Sequence, residues 1–569
     1  MTIICSWRRE KEMNKSKVMF LVFLTIISLC AINIQSVKSQ NSIIITILSN
    51  GDISPSEADG VLIQKVGNVY TFMNNLTGFS LVVGCSDIII DGAGFVLSGE
   101  AEIGIDVSYT SGVTIRDVKI EGFYYYGINI LESSYITVVN NSISSNLRGI
   151  FIVNSTRNTI SENYVVNNEV GIYLMSSSEN VFRNNNFNNS QNLVVYGTAL
   201  SHFINDMDVS NTIINKKTYY LVNEENLVIT PDMFPDVGFL ALVSCRNITV
   251  KNMDLTKNGQ GIILASTTYS TIMQNNITGN HNGVLLFGSS NNELSGNSII
   301  GNYRGIQLSM SSTRNSITSN TIMNSNEGIF FFNSPANTVA SNNVTNNGVG
   351  IGFSSSSNNM MKSNYFVNNT KQVYDVGIGN PSVINSTNYW NFAYPVGGNY
   401  WSDYTGVDMK SGENQDQEGS DNIGDTPYSI YGNNKDNYPL MPYGSPLTIS
   451  VTSPENKTYN VNSVSLTYTV SKSESVIGYS LDGQANITIS KSITLSDLSG
   501  GSHKLTVYAK DTDGNESSDT VYFTISEEAV TPPDTEETEN FPIIWIAAAI
   551  GVVAVVGVAL LYFLKIKKK

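Results

Sequence analysis

Charge is scarce in this chain: Asp, Glu, Lys and Arg make up only 14% of its 569 residues. Asn, Ser, Gly and Ile abound in their place, and low charge with many β-branched residues favours β structure over helices or disorder. Cysteine is nearly absent, with four in all. Cys5 and Cys30 fall in the N-terminal region read below as an export signal, leaving Cys85 and Cys245. Two cysteines cannot make a disulfide framework, so packing and hydrogen bonds must hold the exported chain together. Basic residues number 32 against 48 acids, a formal net charge of −16. That balance argues against a nucleic-acid partner, which needs a basic face. It suits a soluble exterior and could hold divalent cations.

Long apolar runs occur only at the two ends. Lys15 and Lys17 precede an apolar run over residues 18–34, and Val37-Lys38-Ser39 offers a cleavage site. Residues 1–39 therefore read as a signal peptide, those before Met13 being an upstream extension. Cys30 follows Leu29 rather than a small residue, which argues against a lipid anchor there. Residues 542–564 form an uncharged apolar stretch long enough to cross roughly 30 Å of hydrocarbon. The tail at 565–569 carries Lys565, Lys567, Lys568 and Lys569, which the positive-inside rule places in the cytoplasm. The expectation is a single-pass cell-membrane protein with its bulk extracellular.

Between these ends a Gly-aliphatic pair recurs. It stands at Gly104-Ile105, Gly127-Ile128, Gly149-Ile150 and Gly171-Ile172, then at Gly261-Ile262, Gly283-Val284, Gly305-Ile306, Gly328-Ile329 and Gly350-Ile351. A fixed step of about 22 residues means a solenoid. Within one period, GIFIVNSTRNTISENYVVNN, Ile150 and Ile152 share a strand face, while Ile160 and Val165 fall on two further short strands. Three short strands per coil predict an all-β, right-handed parallel β-helix over residues 40–445, its C-terminal part a cap. Counted from about residue 80, roughly 13–15 coils stack into one rod on the order of 65 Å long. Residues 196–238 hold the weakest pattern and read as a distorted or inserted coil.

One Asn column is regular: Asn141, Asn163, Asn185, Asn275, Asn297, Asn320, Asn342 and Asn364. Asn tolerates the left-handed backbone of tight corners, and stacked amides can bond between coils. Cys85 and Cys245 each stand three residues before an aliphatic, as Ser133 does, in a column for small side chains.

After the coils come Gly398-Asn399-Tyr400-Trp401-Ser402-Asp403-Tyr404, then Asp421-Asn422-Ile423-Gly424-Asp425-Thr426-Pro427-Tyr428, then Asp436-Asn437-Tyr438-Pro439-Leu440-Met441. With the mid-chain segment Asn215-Lys216-Lys217-Thr218-Tyr219-Tyr220-Leu221, this order resembles the NosD-type β-helix family of archaeal surface proteins, over roughly residues 80–443. The resemblance implies copper handling. Copper uses His, Cys or Met ligands, and His202, His281 and His503 lie in different regions, so that role transfers poorly.

The loop after the last coil is acidic. Hard oxygen ligands on a Gly- and Asn-rich loop suit Ca²⁺, with Asp403, Asp421 and Asp425 as the named ligands; the bland reading is a solvated cap. Residues 446–526 alternate apolar and polar in about seven short strands, an Ig-like β-sandwich without a Cys pair. An acidic, Pro-containing linker follows at 527–541, and Asn-x-Ser/Thr sequons such as Asn276 and Asn343 make the exterior a candidate for glycosylation.

Polysaccharide enzymes on such a fold need clustered carboxylates. The outward positions after each Gly-aliphatic pair are Asp106, Asn129, Phe151, Tyr173, Ile263, Leu285, Gln307, Phe330 and Gly352, a row with one acid. It does not read as catalytic; its Phe151, Tyr173 and Phe330 could stack on sugar rings, or be covered by a loop or a neighbouring protein. The expected function is a non-enzymatic surface protein that binds carbohydrate or envelope polymer or mediates adhesion, with polysaccharide or cell-envelope proteins as its partners. A polysaccharide lyase, epimerase or hydrolase and a copper-handling accessory protein are the alternatives.

Overall fold

A computed structural model describes residues 42–378, 380, 383–419, 421–441, 447–470, 476–510 and 516–526. The signal peptide, acidic linker, apolar span and Lys tail expected from sequence lie outside these residues. No helix of the described residues is long and apolar enough to cross a membrane. The chain divides into two compact units, Met1–Met441 and Pro442–Lys569.

The first unit is an all-β solenoid of about 14 turns. Three short strands make a turn, as in Arg148–Val153, Thr159–Ser161 and Tyr164–Val166. Each pairs in parallel with its counterpart on the next turn: Ile150 with Ile172, Ile160 with Phe182, Val165 with Phe187. The inward residues Ile150, Ile152, Ile160 and Val165 are wholly buried, each contributing about 1.5–3 kcal/mol. Helix among the described residues is confined to two 3₁₀ turns, Ser56–Ala58 and Leu200–Phe203. Regular pairing begins at Ile43–Ile47, earlier than the repeat alone suggests.

The recurring Gly has a steric cause. A Cβ at Gly305 would stand 2.5 Å from the Gly328 carbonyl oxygen and 2.7 Å from Ile322 Cγ2. The coil turns so sharply here that neighbouring backbone and the core leave no room for a side chain.

The Asn column forms the expected ladder. Asn141 donates to Asn163 and Asn163 to Asn185, both at 3.0 Å. Asn275 donates to Asn297 at 2.9 Å, Asn297 to Asn320 at 2.8 Å, Asn320 to Asn342 and Asn342 to Asn364 at 2.9 Å. The left-handed backbone belongs to the residue before each rung: Asn140 (φ 55°), Glu162 (59°), Gly296 (63°) and Ser319 (56°) among them. The rungs serve as buried hydrogen-bond partners, and the strained corner is displaced by one position. Further ladders run through Asn146, Asn168 and Asn189 and through Asn292, Asn315, Asn337 and Asn359. Cys245 heads a small-residue column, its N–H donating to Thr267 Oγ1 at 3.3 Å and that of Thr267 to Ser289 Oγ at 2.9 Å. Among the described residues Cys85 and Cys245 are both free.

The single rod needs correcting. Strand Thr212–Ile213 pairs antiparallel with Lys216–Val222, which then pairs in parallel with Val237–Val243. Strand sense reverses while one 15-stranded sheet keeps growing through the reversal. A solenoid of unchanged hand must then move its core to the sheet's other face. Strand Gln260–Ala265 records this: Ile262 and Leu264 enter the second core, while Ile263 and Ala265 remain in the first. The weak segment is therefore a switch between two stacks. Ile263 and Leu285, expected to face outward, are buried against the end of the first stack.

Aromatic rings close the second stack. Trp401 stacks on Phe366 at 4.6 Å and Tyr428 on Trp401 at 4.4 Å. Buried Asp436 fixes the lid by accepting Trp401 Nε1 at 3.0 Å and the Asn399 amide at 2.7 Å.

The second unit holds a three-stranded sheet (Ile449–Ser453, Val464–Val470, Ile493–Leu495) and a five-stranded sheet centred on Gly501–Lys510 and Glu516–Ile525. Leu466 and Leu495 from one share a core with Leu505, Val507 and Phe523 from the other.

Candidate ligand-binding face

The first residue of each long strand, just before the crowded Gly, projects outward, and so does the third after it. On the first stack this sets Tyr126, Arg148 and Val170 in one row, in register. Asn129, Phe151 and Tyr173 form the next row. Tyr126 stacks on Phe151 with ring centroids 4.5 Å apart and planes 10° from parallel. Phe151 meets Tyr173 edge-on at 5.5 Å. Tyr124 and Tyr125 extend the series at 4.6 Å and 6.0 Å spacings. The Arg148 guanidinium lies 5.7, 5.2 and 5.1 Å from the ring centres of Tyr126, Phe151 and Tyr173.

The switch between stacks gives this face a wall. The corner of the second stack bonds to the last long strand of the first: Asn192 N–H to the Lys257 carbonyl and Gly259 N–H to the Leu193 carbonyl, each at 2.9 Å. The Val195 N–H donates to Gln260 Oε1 at 3.1 Å. Rings continue across the step from Tyr196 to His281 (6.4 Å) and Tyr303 (4.6 Å). Burial, then the charge of Arg304, pushes His281 down to about 4, so it is neutral at physiological pH. Beside it Arg304 packs on Phe330 at 4.4 Å and pairs with Glu327 of the next turn. Gln260 Nε2 and Asn282 Oδ1, buried nearby, have no hydrogen-bond partner among the described residues.

Of the three aromatics expected to stack on sugars, Tyr173 and Phe330 are buried, 9% and 4% exposed. They support the face from beneath. Phe151 is half-buried, as are Tyr125 and Tyr126, and Tyr124 is exposed. The reachable rings thus include three successive tyrosines that the Gly-aliphatic register passes over.

The acidic loop does not gather its carboxylates. Asp403 accepts the Tyr428 hydroxyl at 3.1 Å. Asp421 accepts the Gly412 and Ile423 amides at 3.2 and 3.1 Å, and Asp425 those of Met409 and Lys410 at 3.1 Å. Each pins a separate turn, and no group of three or more His, Cys, Asp or Glu among the described residues could hold a metal ion. The expected Ca²⁺ ligands are instead individual loop fasteners.

A shallow groove of about 390 Å³ on another face is lined by Asp117, Lys119, Asn140, Glu162 and Tyr164.

The chain matches the family described as periplasmic copper-binding protein (NosD) over residues 24–224 and 204–406, and it belongs to that family. No curated protein matches it. Among solved structures it is similar to a mutant of the periplasmic alginate epimerase AlgG, at 13% identity, covering 58% of this chain and 81% of that one, with a TM-score of 0.22. It is also similar to the A-module of the Azotobacter vinelandii mannuronan C-5 epimerase AlgE6, at 13% identity over 56% and 87% of the two chains (TM-score 0.21). A third is the catalytic domain of a GH87 α-1,3-glucanase in complex with nigerose, at 13% identity over 65% and 71% (TM-score 0.21). At these scores none of the three bears on what this chain does.

The His and Cys side chains among the described residues do not gather into a site for the copper of the family's description. The Nδ1 of His202 accepts the Thr198 amide, His281 stacks on Tyr303, and His503 lies in the other unit between Asp482 and Ser499. Cys245 is buried in its structural column and Cys85 is far from it in the stack.

Proposed function

We propose that this is an exported, membrane-anchored cell-surface protein whose β-helix binds carbohydrate without transforming it. The observation that carries the reading is the partly exposed ladder of Tyr124, Tyr125, Tyr126 and Phe151, in which Tyr126 and Phe151 sit on paired strands and Tyr124 and Tyr125 in the bend that leads into them. Flat apolar rings held at fixed spacing suit the faces of sugar rings, and strands fix Tyr126 and Phe151 with little ordering cost. The second unit acts as an Ig-like spacer, the acidic linker as a stalk and residues 542–564 as the anchor. A glycan array probed with the full-length chain tests the binding. Tyr126→Ala with Phe151→Ala should abolish it while melting stays close to native, and retained binding would refute this face. Protease added to intact cells should spare only the anchor and the Lys tail.

The groove favours a second reading, as a polysaccharide-modifying enzyme. Asp117 and Glu162 stand two turns apart at the same corner, about 10 Å along the axis at one strand spacing per turn. That is near the upper end of carboxyl separations in inverting hydrolysis. Polymer cleavage lost in Asp117→Asn and Glu162→Gln would establish this reading; no turnover on any polysaccharide bound would discard it.

A further inference from the structure

The repeat contains its own comparison for Arg148. Arg304 occupies the equivalent first position of a long strand in the second stack, again before a crowded Gly, and again lies on aromatic rings, Tyr303 and Phe330. One turn further on, in register, Arg304 finds Glu327. It also reaches Gln307 Oε1 at 3.3 Å. Arg148 finds Val170 at the position corresponding to Glu327. It forms no ion pair among the described residues, although Glu169 and Glu102 lie close by in the fold, and its Nε is buried without a hydrogen-bond partner. A partly buried guanidinium without a counter-charge is costly, and an anion placed beside it would relieve that cost.

We infer that Arg148 reads an anionic group on the bound sugar, a uronate carboxylate or a sulfate ester, which takes the place that Glu327 fills beside Arg304. The inference rests on the carbohydrate reading and deepens it. Tyr126 and Phe151 receive the sugar ring, and the planar guanidinium, its carbon 5.7, 5.2 and 5.1 Å from three ring centres, offers paired N–H donors to two oxygens of the anion. The chain's net charge of −16 disfavours long-range attraction of a polyanion. Screening over about 8 Å at physiological salt confines the interaction to the acidic unit in contact. Val170 keeps the position free of a competing carboxylate.

The test uses the full-length chain and three probes: a uronate oligosaccharide, its carboxyl-reduced neutral counterpart, and a sulfated oligosaccharide. The native protein should bind one of the acidic probes at least about tenfold more tightly than the neutral one. A preference for the uronate that fades below the carboxylate's titration, while the sulfated probe is unaffected, separates the two anions. Arg148→Gln should erase the preference. Val170→Glu should erase it too, by rebuilding the Arg304–Glu327 arrangement, with melting no lower than that of Arg148→Gln. Equal binding of neutral and acidic probes, or a preference surviving in both variants, overturns the role of Arg148 and leaves carbohydrate binding standing. Binding of none of the probes overturns both.

Discussion

Asn297 Nδ2 lies 2.8 Å from Asn320 Oδ1 on the following turn. Every polar atom of the Asn297 side chain is used: Nδ2 also donates to the Ile272 carbonyl at 2.8 Å, and Oδ1 accepts both the backbone N–H and Nδ2 of Asn275. Asn297→Leu would leave several buried groups unpaired at once. Each unsatisfied group costs roughly 1–3 kcal/mol, so a loss of about 3 kcal/mol or more is expected in denaturant unfolding. A variant as stable as the native chain would show that the rungs contribute little.

Gly305 and Gly301 separate two uses of glycine. Gly305→Ala places a methyl group against the Gly328 carbonyl and Ile322, and overpacking of this kind costs about 1–3 kcal/mol. Gly301 has φ +65° and nothing within 4 Å of an added Cβ. Gly301→Ala therefore carries only the left-handed backbone penalty, about 1–2 kcal/mol. Melting of the two variants should rank Gly305→Ala as the less stable. Crowding also predicts that Gly305→Ser recovers nothing, because the clash is with backbone.

How much of this was legible in sequence depended on locality. The Gly-aliphatic step and the Asn column repeat within one coil, and both define the solenoid correctly. The reversal at Thr212–Ile213 and Lys216–Val222 is a pairing choice between distant strands, which periodicity does not encode. A trace of it exists in Val237–Val243, VGFLALV, where apolar residues fill both parities and every residue is buried. A strand apolar on both sides has two cores to serve, and the outward row could not continue through it. Arg148 was visible as a residue, but its missing partner emerges only when Val170 and Glu327 are compared at one register position. The acidic loop differs for the opposite reason: its carboxylates are near in sequence, but Asp421 and Asp425 accept backbone amides of separate turns and Asp403 accepts the Tyr428 hydroxyl.

That loop yields a direct test. Because Asp421 and Asp425 accept amides rather than sharing a cation, Asp425→Asn should lower the stability of the cap equally in Ca²⁺ and in chelator. Loss of a charged acceptor for two amides corresponds to about 1.5–3 kcal/mol. Protection of the Met409 and Lys410 amides against hydrogen exchange should fall in the same variant. A melting temperature that rises with Ca²⁺ in the native chain and not in Asp425→Asn would restore the metal site.

The second unit carries a pH dependence of its own. His503 Nδ1 lies 2.7 Å from Asp482 Oδ2, and its Nε2 2.8 Å from the Ser499 carbonyl oxygen. Both neighbours are acceptors, so only the doubly protonated ring donates to both. Burial alone works against that charge, but the hydrogen bonds to Asp482 and Ser499 outweigh it and raise the pKa above 6.5. The unfolded ring loses its proton first as pH rises. The stabilisation is therefore complete below about pH 6.5 and is lost as pH climbs through the raised folded value. Unfolding of this unit, followed by the exchange of core amides such as Leu505 and Val507, should become easier across that interval. Asp482→Asn removes the charge that favours the imidazolium and should flatten the profile. A native unit whose stability stays level from pH 6 to 9 would mean that the ring is neutral between its two acceptors.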